Sequence, residues 1–440
     1  MSLQKMAFLS RYLVVAVCAV CVQYSSAETV SSFESALAKV QNYQAQDQLW
    51  QQGQQVSKLN IQQSRLWQNP SLSLEKSGFG SDQEQEFSIG ISQPLDLFGE
   101  RKLKQRMAQT SNQQIQLQQQ LWQAQSQLIV KFAWSQLLLA QVEQSVYASQ
   151  LTVSKANLDS AQKRYQAGSI ALVDFERAQI EALDVKRLYQ QALLNQQVAE
   201  RQLSNLWGET AAAIQPNKKG VPWPEHSEQV VQRYIAQGWL EKLYALNLQQ
   251  SNNQIENLKV QARPNPTLNV GMNRSKSPDE NNETVLVLGV DMPLNIFNRQ
   301  QYTIPMAQQQ QILLNQQQQQ ELKQQILDIA NGMHQLKGLR SQFDATTEQI
   351  ALASKVHSRT LQGFRAGKLS TTDVQQATTQ LQNLRLGQLQ ILRQAWQSAL
   401  TAEALSIGTS YEEISRSDAH TQLNKNAIAV SQNLINAGAR

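Results

Sequence analysis

Residue types that could hold a metal or act as nucleophiles are sparse in this chain of 440 residues, and they fall in no usable pattern. His226, His334, His357 and His420 are scattered, with no two at the four-residue spacing that places a pair of ligands on one helix face. Cys18 and Cys21 both lie within the first 27 residues, so a chain that sheds that segment keeps no thiolate. Met107, Met272, Met292, Met306 and Met333 form no cluster suited to a soft copper ion. No catalytic, cofactor or metal site is expected, and the chain reads as no enzyme. The ionisable residues that do recur in matching surroundings are Asp174 and Asp373. Tyr165-Gln166-Ala167-Gly168-Ser169 stands before the first, and Phe364-Arg365-Ala366-Gly367-Lys368 before the second. Such carboxylates suit the first turn of a helix, whose N-terminus carries partial positive charge. The glycines suit a tight reversal between antiparallel helices, although glycine also ends helices that dock nothing.

The matching surroundings belong to a duplication. Asn69-Pro70-Ser71-Leu72 answers Asn265-Pro266-Thr267-Leu268, and Gln93-Pro94-Leu95-Asp96-Leu97-Phe98 answers Met292-Pro293-Leu294-Asn295-Ile296-Phe297. Pro94, Gly168 and Asp174 all recur at one offset of 199 residues. Each copy reads as helix, β-hairpin, very long helix, tight turn and helix. Leu72 and Leu74, then Phe87, Ile89 and Ile91, alternate as a two-faced strand pair does, and Leu268, Val270 and Met272 with the run 285–290 repeat the pattern. The expected organisation is a first repeat over 28–208, with a hairpin at about 70–93, a helical hairpin at about 98–207 and a tip at 165–174. A second repeat follows over 226–408, with a hairpin at about 266–292, a helical hairpin at about 297–407 and a tip at 364–373. The Pro-rich stretch 209–225 links them, and the polar tail 409–440 is expected to fray.

From Glu100 through Ala167 there is no Gly or Pro, and 68 such positions in one helix would extend about 100 Å, beyond what a compact domain needs. Its apolar residues Leu121, Leu128, Phe132, Leu139, Val142, Val146 and Val153 recur at coiled-coil steps. In the second copy Pro305, Gly332 and Gly338 interrupt the same stretch, so a bend or break is expected near them. Helices are also expected over about Ser32–Trp67 and Ser227–Gln261, ahead of the hairpins.

At 41% hydrophobic and 17% charged residues the chain is too polar for a bundle of membrane-spanning helices. About one residue in six is Gln, interleaved with Leu, Ile and Ala, which suits the polar face of long helices. Lys5 and Arg11 precede an apolar stretch, 12–22, and small residues end at Ala27, the pattern of a secretory signal peptide 1–27. Cys18 and Cys21 both follow Val, which disfavours lipid acylation. No basic cluster with interleaved aromatics points to nucleic acid. Four short strands cannot close a barrel, and an open sheet in lipid leaves unpaired edges, so the chain is expected to share a barrel. Two copies would supply eight strands, a barrel that side chains fill, and three would supply twelve, wide enough to conduct, so three are expected.

The duplicated order, the Pro-x-x-x-Phe step out of each hairpin and the paired aromatic-x-Ala-Gly…Asp turns resemble the TolC-like outer-membrane efflux channels of Gram-negative bacteria. The hairpin exits are most similar to the cobalt-zinc-cadmium resistance branch. The resemblance implies a mainly α fold with a small β part, trimerised into a shared 12-stranded β-barrel in outer-membrane lipid and an α-helical coiled-coil barrel in the periplasm. It implies a passive exit duct of an RND-type tripartite system, fed by an inner-membrane pump through a periplasmic adaptor, with divalent heavy-metal cations as cargo. By the same resemblance Tyr165, Ala167, Gly168, Ser169, Phe364, Ala366, Gly367 and Lys368 are the adaptor-docking tips, and Asp174 and Asp373 line the tunnel entrance. The family's gating tyrosine position is Phe364, its lock arginine is Leu369 and a second acidic position is Gln376, so closure is expected to rest on packing. A duct for type I protein secretion or drug efflux shares this architecture. A soluble periplasmic coiled-coil adaptor or structural protein, with an ordinary four-stranded sheet, is the reading of another class.

Overall fold

A computed structural model of the chain describes residues 29–43, 46–78, 85–209, 214–216, 220–276, 282–366 and 368–439. The expected signal segment 1–27, Cys18 and Cys21 included, lies outside them, as do Gly367 and parts of the hairpin loops and linker. In chain order the elements are α1 (Phe33–Tyr43), α2 (Gln46–Gln63), β1 (Ser71–Ser77), β2 (Gln85–Pro94), α3 (Glu100–Gln166) and α4 (Leu172–Asn205). Then come α5 (Ser227–Gln237), α6 (Trp239–Gln261), β3 (Thr267–Lys276), β4 (Glu283–Asp291), α7 (Thr303–Arg365), α8 (Thr371–Ser406), α9 (Tyr411–Ser415) and α10 (Ala419–Ala439).

With nothing to stop it, α3 runs 67 residues. Asp96 starts it, its two carboxylate oxygens accepting the N–H groups of Glu100 at 2.7 Å and Arg101 at 3.1 Å. Glutamines serve as local staples: Gln191 donates to Asn195 at 3.0 Å, Gln196 to Glu200 and Gln324 to Asp328 at 2.9 Å, all one turn apart.

The expected break in the second long helix is corrected, because α7 is continuous over 63 residues. Pro305 falls in its first turn, where a missing N–H costs little and the fixed φ suits a helix. Gly332 marks a close approach instead of a stop: a Cβ there would lie 3.5 Å from the Ser398 carbonyl oxygen and 3.6 Å from Ala402 Cβ of α8. Gly338 faces open space. The helix begins later than its first-repeat counterpart because the Asn298 side chain accepts the Gln300 N–H at 3.0 Å and Gln300 takes φ 58°. A left-handed Gly238, φ 58°, likewise divides α5 from α6.

The chain divides into two units, Met1–Tyr43 with Ala133–Val221 and Gln44–Phe132 with Pro222–Arg440. In the first unit, Val30 bridges Ile214 in parallel, with the Gln215 N–H donating to the Val30 carbonyl at 2.9 Å. Lys39 reaches Glu209 at 3.4 Å and lies 5.9 Å from the Trp207 ring. Along α4 the buried residues are mostly small, Ala182, Val185, Ala192 and Ala199, as close helix packing requires.

In the second unit the strands form one antiparallel meander, β1-β2-β3-β4. Directly opposed residues share a face. One face reads Leu72-Ile91-Val270-Leu288 on one rung and Leu74-Ile89-Met272-Leu286 on the next, flanked by Lys76-Phe87-Arg274-Thr284 and Gln93-Leu268-Val290. The opposite face carries Ser71, Ser73, Glu75, Ser88, Gly90, Ser92, Asn269, Gly271 and Asn273, with Val285 and Val287 as its apolar exceptions. The apolar face lies open: Leu286 is 77% exposed and Leu288 72%.

Over the described residues the tail is helical, as α9 and α10, where fraying was expected. Ser410 and Glu413 make a reciprocal capping box for α9. Leu423 and Ala427 of α10 pack on Trp50, Ile115 and Trp122. The Trp122 indole N–H donates to Asn424 Oδ1 at 3.2 Å. Ile407 and Ile414 are buried as well.

Between α3 and α8, Lys131 Nζ donates to both oxygens of Glu403 at 2.7 Å, and the Glu403 side chain is 2% exposed. Removing one partner strands a buried charge, whereas removing both does not. Lys131→Met is expected to cost about 3 kcal/mol of stability. In Lys131→Met/Glu403→Leu most of that loss should return, with thermal unfolding of the two variants in detergent as the check.

Candidate functional site

Each long helix reverses through a short turn, and the two turns are built differently. In the first, α3 ends on Gly168 at φ 70°, a conformation glycine adopts without strain. The Ser169 N–H donates to the Arg164 carbonyl at 2.8 Å and the Gly168 N–H to that of Tyr165 at 2.9 Å, which satisfies carbonyls the helix end leaves over. Ser169 Oγ adds a second bond to Arg164 O at 2.9 Å. A Cβ on Gly168 would meet nothing within 4 Å, so a substitution there is opposed by backbone conformation and not by crowding. Across the turn the Tyr165 and Phe175 rings stack with centroids 5.5 Å apart and planes 4° from parallel.

Asp174 is the third residue of α4. The residue before the helix is Ala171, which has no side chain to cap it. Asp174 lies 3.8 Å from Arg177 in an exposed pair that holds it weakly.

Asp373 takes the same third position in α8, but Ser370 precedes it and the two form a capping box. Ser370 Oγ donates to the Asp373 carboxylate at 2.7 Å and Ser370 N–H at 2.8 Å, while Asp373 N–H donates back to Ser370 Oγ at 3.2 Å. The Ser370 hydroxyl, then its N–H, holds the Asp373 carboxyl below its ordinary range. Lys368 N–H donates to the Gly363 carbonyl at 2.9 Å, and Leu369 folds over Gly363, where a Cβ would lie 2.7 Å from Leu369 Cδ1. Leu369 thus closes this turn by apolar contact. Ala366 N–H bonds back to Gln362 O at 3.0 Å.

The expected site residues therefore sort into two groups. Tyr165, Ala167, Gly168 and Ser169 form one turn with Asp174 in the returning helix, and Phe364, Ala366, Lys368 and Asp373 belong to the other. Three contributors were not singled out: Phe175, Ser370 and Gly363. The Ser370-x-x-Asp373 spacing was a readable signal, whereas the Tyr165–Phe175 stack depends on how the turn places residues ten apart.

Among the described residues no group of three or more His, Cys, Asp or Glu side chains could hold a metal ion. His357 Nε2 lies 3.1 Å from Thr378 Oγ1, and burial, with Arg385 nearby, lowers its pKa. Burial takes that of His420 down to about 4, between Ser126 and Asn424. Both are neutral packing residues at pH 7.

Residues 33–209 match the family model described as outer membrane efflux protein. The chain is 25% identical over 353 residues to the cobalt-zinc-cadmium resistance protein CzcC of Cupriavidus metallidurans, a match covering 78% of this chain and 82% of that protein. Its fold is similar to that of CusC, whose crystal structures concern folding and transmembrane channel formation, with TM-score 0.66 at 15% identity over 89% of this chain and 96% of that one. It is also similar to the outer membrane protein VceC of Vibrio cholerae, with TM-score 0.66 at 13% identity over 86% and 96% of the two chains.

Ser370→Ala is expected to cost about 1 kcal/mol of local helix stability near neutral pH, read as about fivefold faster amide exchange in the first turn of α8. A depressed carboxyl pKa contributes stability above its unfolded value and loses it as pH falls through the folded one, so the difference should shrink below about pH 4. Exchange rates that match the parent at both pH values would remove the cap from this turn.

Proposed function

We infer that this chain, whose residues 33–209 match the outer membrane efflux protein model, is a member of that family and the passive exit duct of a tripartite efflux system. It stands in the outer membrane and carries divalent heavy-metal cations from an inner-membrane pump and periplasmic adaptor to the exterior. The observation that supports this reading best is the sheet. A soluble protein covers an apolar face of this extent, whereas here Leu72, Leu74, Ile91, Val270, Leu286, Leu288 and Val290 are all exposed. Alternation of apolar and polar faces on strands of 7 to 10 residues is the pattern of a barrel wall, lipid outside and water inside. No described helix is long and apolar enough to cross a membrane.

β1 pairs on one side only with β2, and β4 only with β3. In lipid the open edges would cost several kcal/mol for each unpaired group, so further copies must pair with them. Three copies give twelve strands and a lumen wide enough to conduct. The turns at Gly168 and Gly367 are then the adaptor-docking tips, and Asp174 and Asp373 supply carboxylates that favour cations at the entrance. The likeness to a cobalt-zinc-cadmium resistance protein supports metal ions as cargo.

Protein extracted from outer membranes in mild detergent should have the mass of three mature chains by light scattering, and a monomer would remove the shared barrel. With its pump partner active, deleting the gene should lower tolerance to divalent metals. Unchanged tolerance to metals, dyes and detergents alike would remove the efflux role. Leu288→Lys, on the apolar face, should cost about 2–4 kcal/mol of insertion and deplete the protein from outer-membrane fractions, while Ser88→Lys on the polar face should not.

A further inference from the structure

The junction between sheet and helices carries a basic and aromatic cluster that conduction does not use. Arg65, Arg101, Lys102, Lys104, Arg106, Arg263 and Arg299 all lie within a few residues of where strands meet helices. The structure draws several of them together. The Arg101 guanidinium lies 4.5 Å from the Trp67 ring and donates to the Arg65 carbonyl at 3.4 Å. Arg263 lies 5.4 Å from the Phe98 ring. Asn295 Nδ2 donates to Ala262 O at 2.9 Å, which holds the segment leading to Arg299 beside Arg263. Trp67, Arg101 and Lys104 line a groove of about 660 Å³ walled on one side by Pro94 and Thr267 at the end of the sheet.

The nearby carboxylates offset only part of this charge. Asp96 is committed to the N–H groups that open α3. Glu100 pairs with Lys104 at 2.9 Å and accepts from Asn265 at 3.3 Å. Asp291 is on the polar face of the sheet, bonded to Asn269. Arg65, Lys102, Arg106, Arg263 and Arg299 make no ion pair among the described residues. Around them the exposed apolar side chains are those suited to a membrane boundary: Trp67 is 59% exposed, Phe297 92% and Tyr302 83%, with Leu66, Leu97, Leu294 and Ile296 also open.

We propose that this junction is a docking surface for anionic phospholipids of the periplasm-facing leaflet, whose phosphate groups seat between Arg101, Lys104 and Arg263 while Trp67 and Phe297 lie at the acyl boundary. It rests on the outer-membrane reading above, which sets the apolar face of the sheet in lipid and the helical end of the strands at one headgroup layer. Guanidinium groups match phosphate in fork geometry, and long basic side chains reach from the protein surface to headgroups. Each such residue near an anionic surface strengthens binding by about fivefold.

The experiment is native mass spectrometry of the purified full-length protein in uncharged detergent, titrated with phosphatidylglycerol or phosphatidylcholine. Phosphatidylglycerol adducts are expected at concentrations at least about tenfold lower, and Arg101→Gln/Lys104→Gln/Arg263→Gln should erase that difference. Because Arg101 also stacks on Trp67, Lys102→Gln/Arg106→Gln/Arg299→Gln provides a second variant on exposed side chains, expected to narrow the difference at least threefold. Equal uptake of both lipids by the parent, as would follow if neighbouring copies covered the groove, overturns the proposal. So does a preference unchanged in both variants, or adducts displaced by millimolar inorganic phosphate. A trimer that conducts in planar bilayers yet shows any of these results leaves the duct standing and removes only the lipid site, whereas a chain that never inserts removes both.

Discussion

Backbone hydrogen bonding in a solvent that cannot supply it governs this molecule. Water satisfies the free N–H and C=O groups along a sheet edge, and hydrocarbon does not. A meander of four strands with β1 and β4 at its margins is therefore an unfinished object in lipid. The side chains repeat the same condition, since the rungs that end in Leu286 and Leu288 find no cover within the chain. Among the described residues the chain supplies these four strands and no more, as one hairpin repeated once.

The helices answer to a different requirement, length without interruption. Capping by Asp96, an unbroken α3 and, on α4 and α7, glutamine staples at one-turn spacing give local reasons for helix to persist. Where the helices do pack, small residues set the distance, as at Gly332 against α8. The Lys131–Glu403 pair, with its carboxylate almost fully buried, ties α3 to α8 through both carboxylate oxygens.

Much of this was legible from residue order. The Gly- and Pro-free run marked α3, strict alternation marked the strands, and the recurring Ala-Gly…Asp wording marked the turns. What escaped depends on position within an element or on distant partners. Pro305 reads as a breaker until the helix is seen to start at Thr303, which makes it a first-turn residue. The tail reads as weakly periodic because Leu423 and Ala427 find their apolar partners at Trp50, Ile115 and Trp122, hundreds of residues earlier. At the turns the Ser370-x-x-Asp373 cap was visible in the sequence, whereas the stack of Tyr165 on Phe175 required the reversal itself. The basic junction was dispersed along the chain as short groups around residues 65, 101–106, 263 and 299, and only the convergence of strand ends brings several of them together.

Duplication hands a protein two identical parts, and the capped and uncapped returning helices show how far these have drifted. Ser370 binds its helix start with the molecule's own atoms, while Ala171 leaves the corresponding start without a side chain to hold it. Were three copies to assemble with threefold symmetry, the assembly would hold three turns of each kind, and any sixfold repetition in it would be false at the level of atoms. A ring of six identical subunits docking on turns of both kinds would meet two classes of site, and would itself be obliged to adopt two conformations or to bind at two strengths.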